Sequence, residues 1–265
     1  MSTTAKPSQT PSSQQPAKSS ARSGPAGRSD LPALPALPLL ENGDRMNRFE
    51  FERRYHAMPK TKKAELIEGV VHMASPVSHE RHSRQHFDMI AWLGAYRFTT
   101  PGVEGGDNGS LRLDIDNEPQ PDAFLLIRPE LSGQSQVSVD GYVVGAPELV
   151  CEISNTSVSI DLNSKKNAYR RNGVREYLVW RVQDEAIDWF VLREGNFEVL
   201  ESSDGILRSD VFPGLWLDAA AMLRGDLQAV AAAALQGIAD AGHPAFIAEL
   251  QKKADALKPR EETPS

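Results

Sequence analysis

The sequence predicts an α/β fold: a mixed central sheet flanked by helices, with a helical extension at the C-terminus. Three observations carry this. Strand-like apolar runs recur at PDAFLLI, ELVCEIS, REYLVWRV and AIDWFVLR. Two helical segments interrupt them, one spanning HERHSRQHFDMIAWLGAYRFTT and one over residues 162–172. The order of helix, strands, helix and more strands suits a mixed sheet covered by helices.

The elements follow in chain order. Residues 1–44 are rich in Ser, Pro, Ala, Gln and Thr and repeat Pro-Ala-Leu. Such a composition buries too little apolar surface to offset chain entropy, so this segment reads as a disordered tail. LPALPALPLL within it is a candidate docking piece. The folded domain is expected over residues 45–216, opening with a short helix in MNRFEFERRYHAMP. AELIEGVVHMAS reads as a strand with a turn near Glu68-Gly69. In the next segment Phe87, Ile90, Ala91, Leu93 and Gly94 fall at helical spacing. GSLRLDID alternates apolar and polar residues as a strand does, and PDAFLLI is a second, more apolar strand. A loop rich in Gly, Ser and Gln leads to ELVCEIS. Asp161 is a plausible N-cap for the helix over 162–172, and Gly173 a natural stop. REYLVWRV, AIDWFVLR and FEVLES then read as strands. Residues 217–257 are Ala-rich and broken at AGHP, which predicts two helices packed as a hairpin, before a short disordered tail over 258–265.

Composition narrows the function. The chain has 265 residues, 40% of them hydrophobic, enough for one sizeable core. A single cysteine, Cys151, rules out an internal disulfide framework and a zinc site built on several thiolates, and points to the cytoplasm. No apolar run has the roughly 18 residues that a membrane span needs, and the N-terminus lacks the apolar stretch of a secretory signal. The net charge of -7 argues against coating nucleic acid by bulk charge, but leaves room for a local basic cleft.

The informative anomaly is Glu152, a carboxylate inside the apolar strand ELVCEIS. An ionised carboxylate is costly to bury without a partner, and a metal ion is one partner that compensates it. Asp122 follows Pro121 at the start of another apolar strand. If the two strands pair, Asp122 and Glu152 converge at one sheet edge. Two hard oxygen donors suit Mg2+, which keeps several waters and takes one or two protein carboxylates. Such an ion lowers the pKa of bound water and neutralises charge on a phosphate oxygen. A nearby lysine serves the same charge. These are the parts of a phosphodiester hydrolase.

The order QPDAFLLI, ELVCEIS, Asp161, Lys165, Tyr169 and GVREYLVW resembles the PD-(D/E)XK nuclease superfamily, and more closely its Uma-type restriction-endonuclease-like family. ELIEGVV, the histidine-bearing segment after MASP, and GAPELVCEIS fit the same pattern. The resemblance runs from about residue 50 to 200. It implies a restriction-endonuclease-like sheet, Mg2+ or Mn2+ as cofactor, and DNA as partner. It implies Asp122 and Glu152 as metal ligands. The superfamily's usual lysine, two residues after the acid, is replaced here by Ser154; in the Uma-type group it lies on the following helix, which matches Lys165 as the catalytic lysine. Glu65 is implied as a supporting acid, and Asp161 and Tyr169 as groups that position the lysine-bearing helix or touch the nucleic-acid backbone.

Each residue also has a plainer reading. Asp161 is as well explained as an N-cap, Tyr169 as core, and Lys165 as a solvated helix face with Lys166 as its competitor. His79, His82 and His86 lie at spacings of three and four, a spacing that also binds transition metals; His82 is the one expected beside the site. Lys165, Lys166, Arg170, Arg171 and Arg175 form the most basic stretch, and Lys166, Arg170 and Arg171 are candidate contacts to a phosphate backbone. Cutting both strands of a duplex would favour a homodimer. The competing functions are a nucleic-acid- or protein-binding module that keeps the nuclease fold without turnover, and a metal-dependent hydrolase of a small phosphate ester.

Overall fold

Apolar residues, many of them β-branched or aromatic, dominate the strands that build the main sheet. In a computed structural model, which describes residues 37–59, 62–73 and 78–257, these strands form six-stranded order β11-β10-β9-β8-β5-β3. They are β3 (Val103–Asp107), β5 (Ala123–Ile127), β8 (Leu149–Ser154), β9 (Glu176–Arg181), β10 (Ala186–Arg193) and β11 (Asn196–Val199). Only the β8–β9 pair is parallel, so the sheet is mixed as predicted. Strands β5 and β8 are buried at every residue, because elements cover both of their faces.

One face carries Leu125, Leu149, Cys151, Ile153 and Leu178 and packs on helix α2 (Arg84–Thr99) through Met89, Trp92, Leu93 and Tyr96. The other carries Phe124, Leu126, Val150 and Val179 and packs on Tyr169 of the short helix α3 (Lys166–Arg171). Helix α1 (Arg48–Ala57) lies beside an antiparallel hairpin, β1 (Ala64–Ile67) and β2 (Val70–Met73), over a third small core. The predicted turn at Glu68-Gly69 is present. Both residues have positive φ, 52° and 70°, the backbone that a two-residue hairpin loop with right-handed strand twist requires.

Several expectations are corrected. Phe87 does not face the core: it is 73% exposed, and the buried stripe of α2 runs through Gln85, Met89, Trp92 and Tyr96 instead. Only Leu111–Arg112 of GSLRLDID pairs, as β4, because Asp114 accepts the Asp116 N–H and the Asn117 amide and turns the chain. The Gly/Ser/Gln-rich loop contributes β6 (Gln136–Val137) and β7 (Val143–Val144), which join β4 in a small sheet. β3 was not anticipated, since VEGGD has little strand propensity. The C-terminal part begins with a small hairpin, β12 (Leu207–Arg208) and β13 (Trp216–Leu217). It then carries three helices rather than two, α4 (Ala219–Arg224), α5 (Leu227–Ala239) and α6 (Gly242–Ala256). The helical stretch is interrupted at AGHP: α5 ends at Ala239, and Gly242 of that segment opens α6. Val230, Ala234 and Leu250 of these helices belong to the α2 core. Residues 1–36 and 258–265, with most of the Pro-Ala-Leu repeat, lie outside the described residues. Within 37–44, however, Leu40 is buried and the Gly43 N–H reaches Val71 O at 2.8 Å, so this end of the expected tail is part of the fold.

Candidate active site

The antiparallel register of β5 and β8 sets the site. Ala123 opposes Cys151 and Phe124 opposes Val150, so the next pair outward is Asp122 and Glu152. Both residues are buried, at 8% and 4% exposure. Alternation along the strands puts them on the Phe124 and Val150 face, the face covered by α3. Asp122 Oδ2 accepts the Ile153 N–H at 2.7 Å, and Oδ1 lies 3.1 Å from His82 Nε2.

The chain leaves β8, turns, and re-enters the site through a wide π-type turn, Ile160–Lys165, that runs into α3. Asp161 therefore does not cap a helix. Its carboxylate is buried inside the turn, where Oδ2 accepts the Ser157 hydroxyl at 2.5 Å. The extra residue in the turn swings Lys165 inward rather than onto a solvated face. Lys165 Nζ lies 3.0 Å from Glu152 Oε1, 2.9 Å from Glu65 Oε2 and 3.7 Å from Asp161 Oδ1. Tyr169, one α-helical turn later, donates its hydroxyl to the same Glu152 oxygen at 2.8 Å. Glu65 reaches in from β1 and also accepts the Gln120 N–H.

The electrostatics follow from this crowding. Burial pushes the Glu152 carboxyl well above the usual carboxylate range, and the neighbouring acids add to the push while Lys165 opposes it. Burial works against the Lys165 charge, but Glu152, Glu65 and Asp161 outweigh it and hold the ammonium on. Burial also opposes the charge on Asp122, yet the hydrogen bond and charge of His82, with the Ile153 N–H, keep its carboxyl below its ordinary value. His82 is correspondingly raised by its hydrogen bond to Asp122.

Among the described residues no group of three or more His, Cys, Asp or Glu side chains is arranged to hold a metal ion. The donor set still fits a hard divalent cation, which needs only one or two carboxylates beside its waters. Three carboxylates face the single Lys165 ammonium, and Asp161 Oδ1 is buried without a hydrogen-bond partner. Glu152 Oε2 accepts no hydrogen bond from any described residue. A site with acid in excess and unsatisfied oxygens is one a cation would complete.

The structure thus brings together Asp122, Glu152, Lys165, Glu65, Asp161, Tyr169 and His82. It does not bring the basic stretch with them as a free rim. Lys166 stacks on the Phe190 ring, Arg170 donates to Gly195 O, and Arg171 pairs with Glu68. Two histidines besides His82 stand beside these residues. His86 Nε2 lies 2.9 Å from Asp122 O and 3.1 Å from Asp107 Oδ1. His72 faces Glu65 across the β1–β2 hairpin, and burial lowers its pKa. His86 was visible as the third histidine of the spacing in the sequence; nothing local marked His72. His79 is exposed and takes no part.

No helix among the described residues is long and apolar enough to cross a membrane. Among curated proteins none matches this chain. A crystal structure described as "a putative nuclease belonging to DUF820" from Anabaena variabilis has a similar fold, with a TM-score of 0.50 and 14% identity over 64% of this chain and 97% of that one. The Uma2 family, described as "Putative restriction endonuclease", matches residues 50–220. That match spans well over half of the sequence, and the chain belongs to the Uma2 family.

Proposed function

We propose that this protein is a Mg2+- or Mn2+-dependent endonuclease that hydrolyses phosphodiester bonds of DNA. The observation that carries the reading is the placement of Asp122 and Glu152 side by side across β5 and β8, with Lys165 delivered to Glu152 from the π-type turn that leads into α3. Asp122 and Glu152 would hold the ion, Glu152 through the oxygen that Lys165 and Tyr169 leave free. When bound, the ion would lower the pKa of a coordinated water and neutralise charge on the phosphate. Lys165 stays an ammonium in this setting and is suited to orient the attacking water and stabilise the developing negative charge. Glu65 and Asp161 keep that ammonium charged and in place. Tyr169 fixes Glu152, and His82 fixes Asp122. Arg171 has only an exposed ion pair with Glu68, which a phosphate exchanges at little cost; Lys166 and Arg170 flank it on the same helix. The single buried thiol suits a reducing compartment, so we place the activity in the cytoplasm. A homodimer would supply the paired cuts a duplex requires.

The test is cleavage of supercoiled plasmid in Mg2+ or Mn2+ by wild type beside Asp122→Ala, Glu152→Ala and Lys165→Ala, each checked for folding by circular dichroism. Cutting by wild type that all three changes abolish supports the reading. Cutting that survives Lys165→Ala moves the lysine role to Lys166. A wild type that cuts neither DNA nor RNA is the binding module instead.

A further inference from the structure

Many arginines among the described residues are spent on carboxylates, Arg48, Arg112, Arg171, Arg181 and Arg193 among them. Arg81, Arg84 and Arg97 are exceptions. None of their guanidinium groups makes a hydrogen bond or ion pair with a described residue, and all three residues are exposed. They cluster on one element, the π-type turn His79–Ser83 and the helix α2 that continues it. This element enters the site, since it carries His82 and His86 onto Asp122.

The same element displays two large rings to solvent. Phe87 is 73% and Phe98 81% exposed. Eleven residues separate them, about 16 Å along a helix, or three turns, so they emerge on nearly the same side. Between them the surface is open: a Cβ added at Gly94 would meet nothing within 4 Å. Two acids share this stretch: Glu80, exposed in the π-type turn, and Asp88, which is part-buried, its pKa raised by burial while Arg84 opposes the rise.

Unpaired guanidinium groups beside exposed aromatic faces, in a row leading from a phosphodiesterase site, match the chemistry of single-stranded nucleic acid. The guanidiniums meet phosphates, and the rings stack on bases not engaged in pairing. Resting on the nuclease reading of the adjacent site, we propose that the outer face of α2 is the substrate track. It holds an unpaired DNA strand through Arg81, Arg84 and Arg97 and stacks two separate bases on Phe87 and Phe98. The enzyme would then act on DNA with a single-stranded stretch next to the scissile bond. The helix-end cations nominated by the sequence would play the smaller part.

The experiment is fluorescence anisotropy with a labelled single-stranded oligodeoxynucleotide and the duplex of the same sequence, in EDTA so that binding is read without cutting. The proteins are full-length wild type, Phe87→Ala, Phe98→Ala, the double variant Arg84→Gln/Arg97→Gln, and Arg193→Gln as a control on another surface. Wild type is expected to bind the single strand more tightly than the duplex. Each phenylalanine change should weaken single-strand binding by roughly fivefold or more. The arginine double variant should weaken binding to both and reduce the salt dependence by about 0.7 per lost phosphate contact on a single strand. The control should be unchanged. Equal affinity in wild type and α2 variants, or no wild-type binding at all, would overturn the proposal. So would loss of self-association without loss of DNA binding, measured by sedimentation, which would assign this face to a second copy of the chain. The two readings fail separately. Ring-dependent binding without cleavage in Mg2+ sinks the nuclease alone; cleavage with normal binding by the α2 variants sinks the track alone.

Discussion

Lys165 Nζ and Glu152 Oε1 meet at 3.0 Å inside the protein, with side chains only 6% and 5% exposed. Thirteen residues and a π-type turn separate them in the chain. A pair this deep is worth little for stability, because desolvation offsets most of its attraction. Its presence beside two further carboxylates makes sense as chemistry, and Glu152→Gln tests that directly. The variant keeps the shape and an acceptor for Tyr169 but loses the charge. Cleavage should fall by roughly a hundredfold or more, and Mg2+ binding by titration calorimetry should be lost. Wild-type cleavage by this variant would remove Glu152 from the site.

Tyr169→Phe isolates one hydrogen bond. Burial holds the Tyr169 hydroxyl protonated, so it is a constant donor to Glu152. The ring, which packs 5.0 Å from Tyr177, is retained in the variant. Expected is a stability loss of about 1–2 kcal/mol by urea unfolding, with kcat lowered and DNA affinity unchanged. An unchanged kcat would leave Tyr169 a core residue only.

Glu176 offers a pH test away from the site. Burial raises its carboxyl to about 7, against hydrogen bonds from Ser209 and the Val211 and Asp210 N–H groups. The folded protein then holds this proton more tightly than the unfolded chain does. Its contribution is greatest below the unfolded value of 4.5 and declines as pH rises to about 7, by up to roughly 3 kcal/mol. Glu176→Gln removes the dependence. Relative to wild type, its melting temperature should rise between pH 5 and pH 8; a difference that stays flat across that range contradicts the assignment.

Gly237→Ala probes how the C-terminal helices attach. A Cβ there would lie 2.3 Å from Gly214 O and 2.7 Å from Trp216 Cγ. The backbone oxygen has little room to yield, so overpacking of about 1–3 kcal/mol should outweigh the gain of about 1 kcal/mol in helix propensity. Thermal unfolding should remain a single transition at lower temperature. A separate early transition would mean that these helices melt apart from the α2 core they share.

The α/β class, the strands from PDAFLLI to FEVLES and the stop at Gly173 were legible because each rests on local chemistry: apolar runs, β-propensity and a glycine at φ 82°. The acid in ELVCEIS was legible for the same reason, since a carboxylate in an apolar run is anomalous wherever the strand ends up. What only the tertiary structure decided depends on contacts between distant segments. A 3.6-residue period could not foresee the two π-type turns that aim His82 and Lys165. The helix-end cations read as a free rim, although Glu68 and Gly195 O, far away in sequence, already occupy Arg171 and Arg170. VEGGD became a strand through pairing with β5 alone, and Phe87 stayed outside because Met89, Trp92 and Tyr96 claimed the sheet. Composition and spacing determine which residues seek burial. Which of them meet is set by the register of paired strands and by the turns between them.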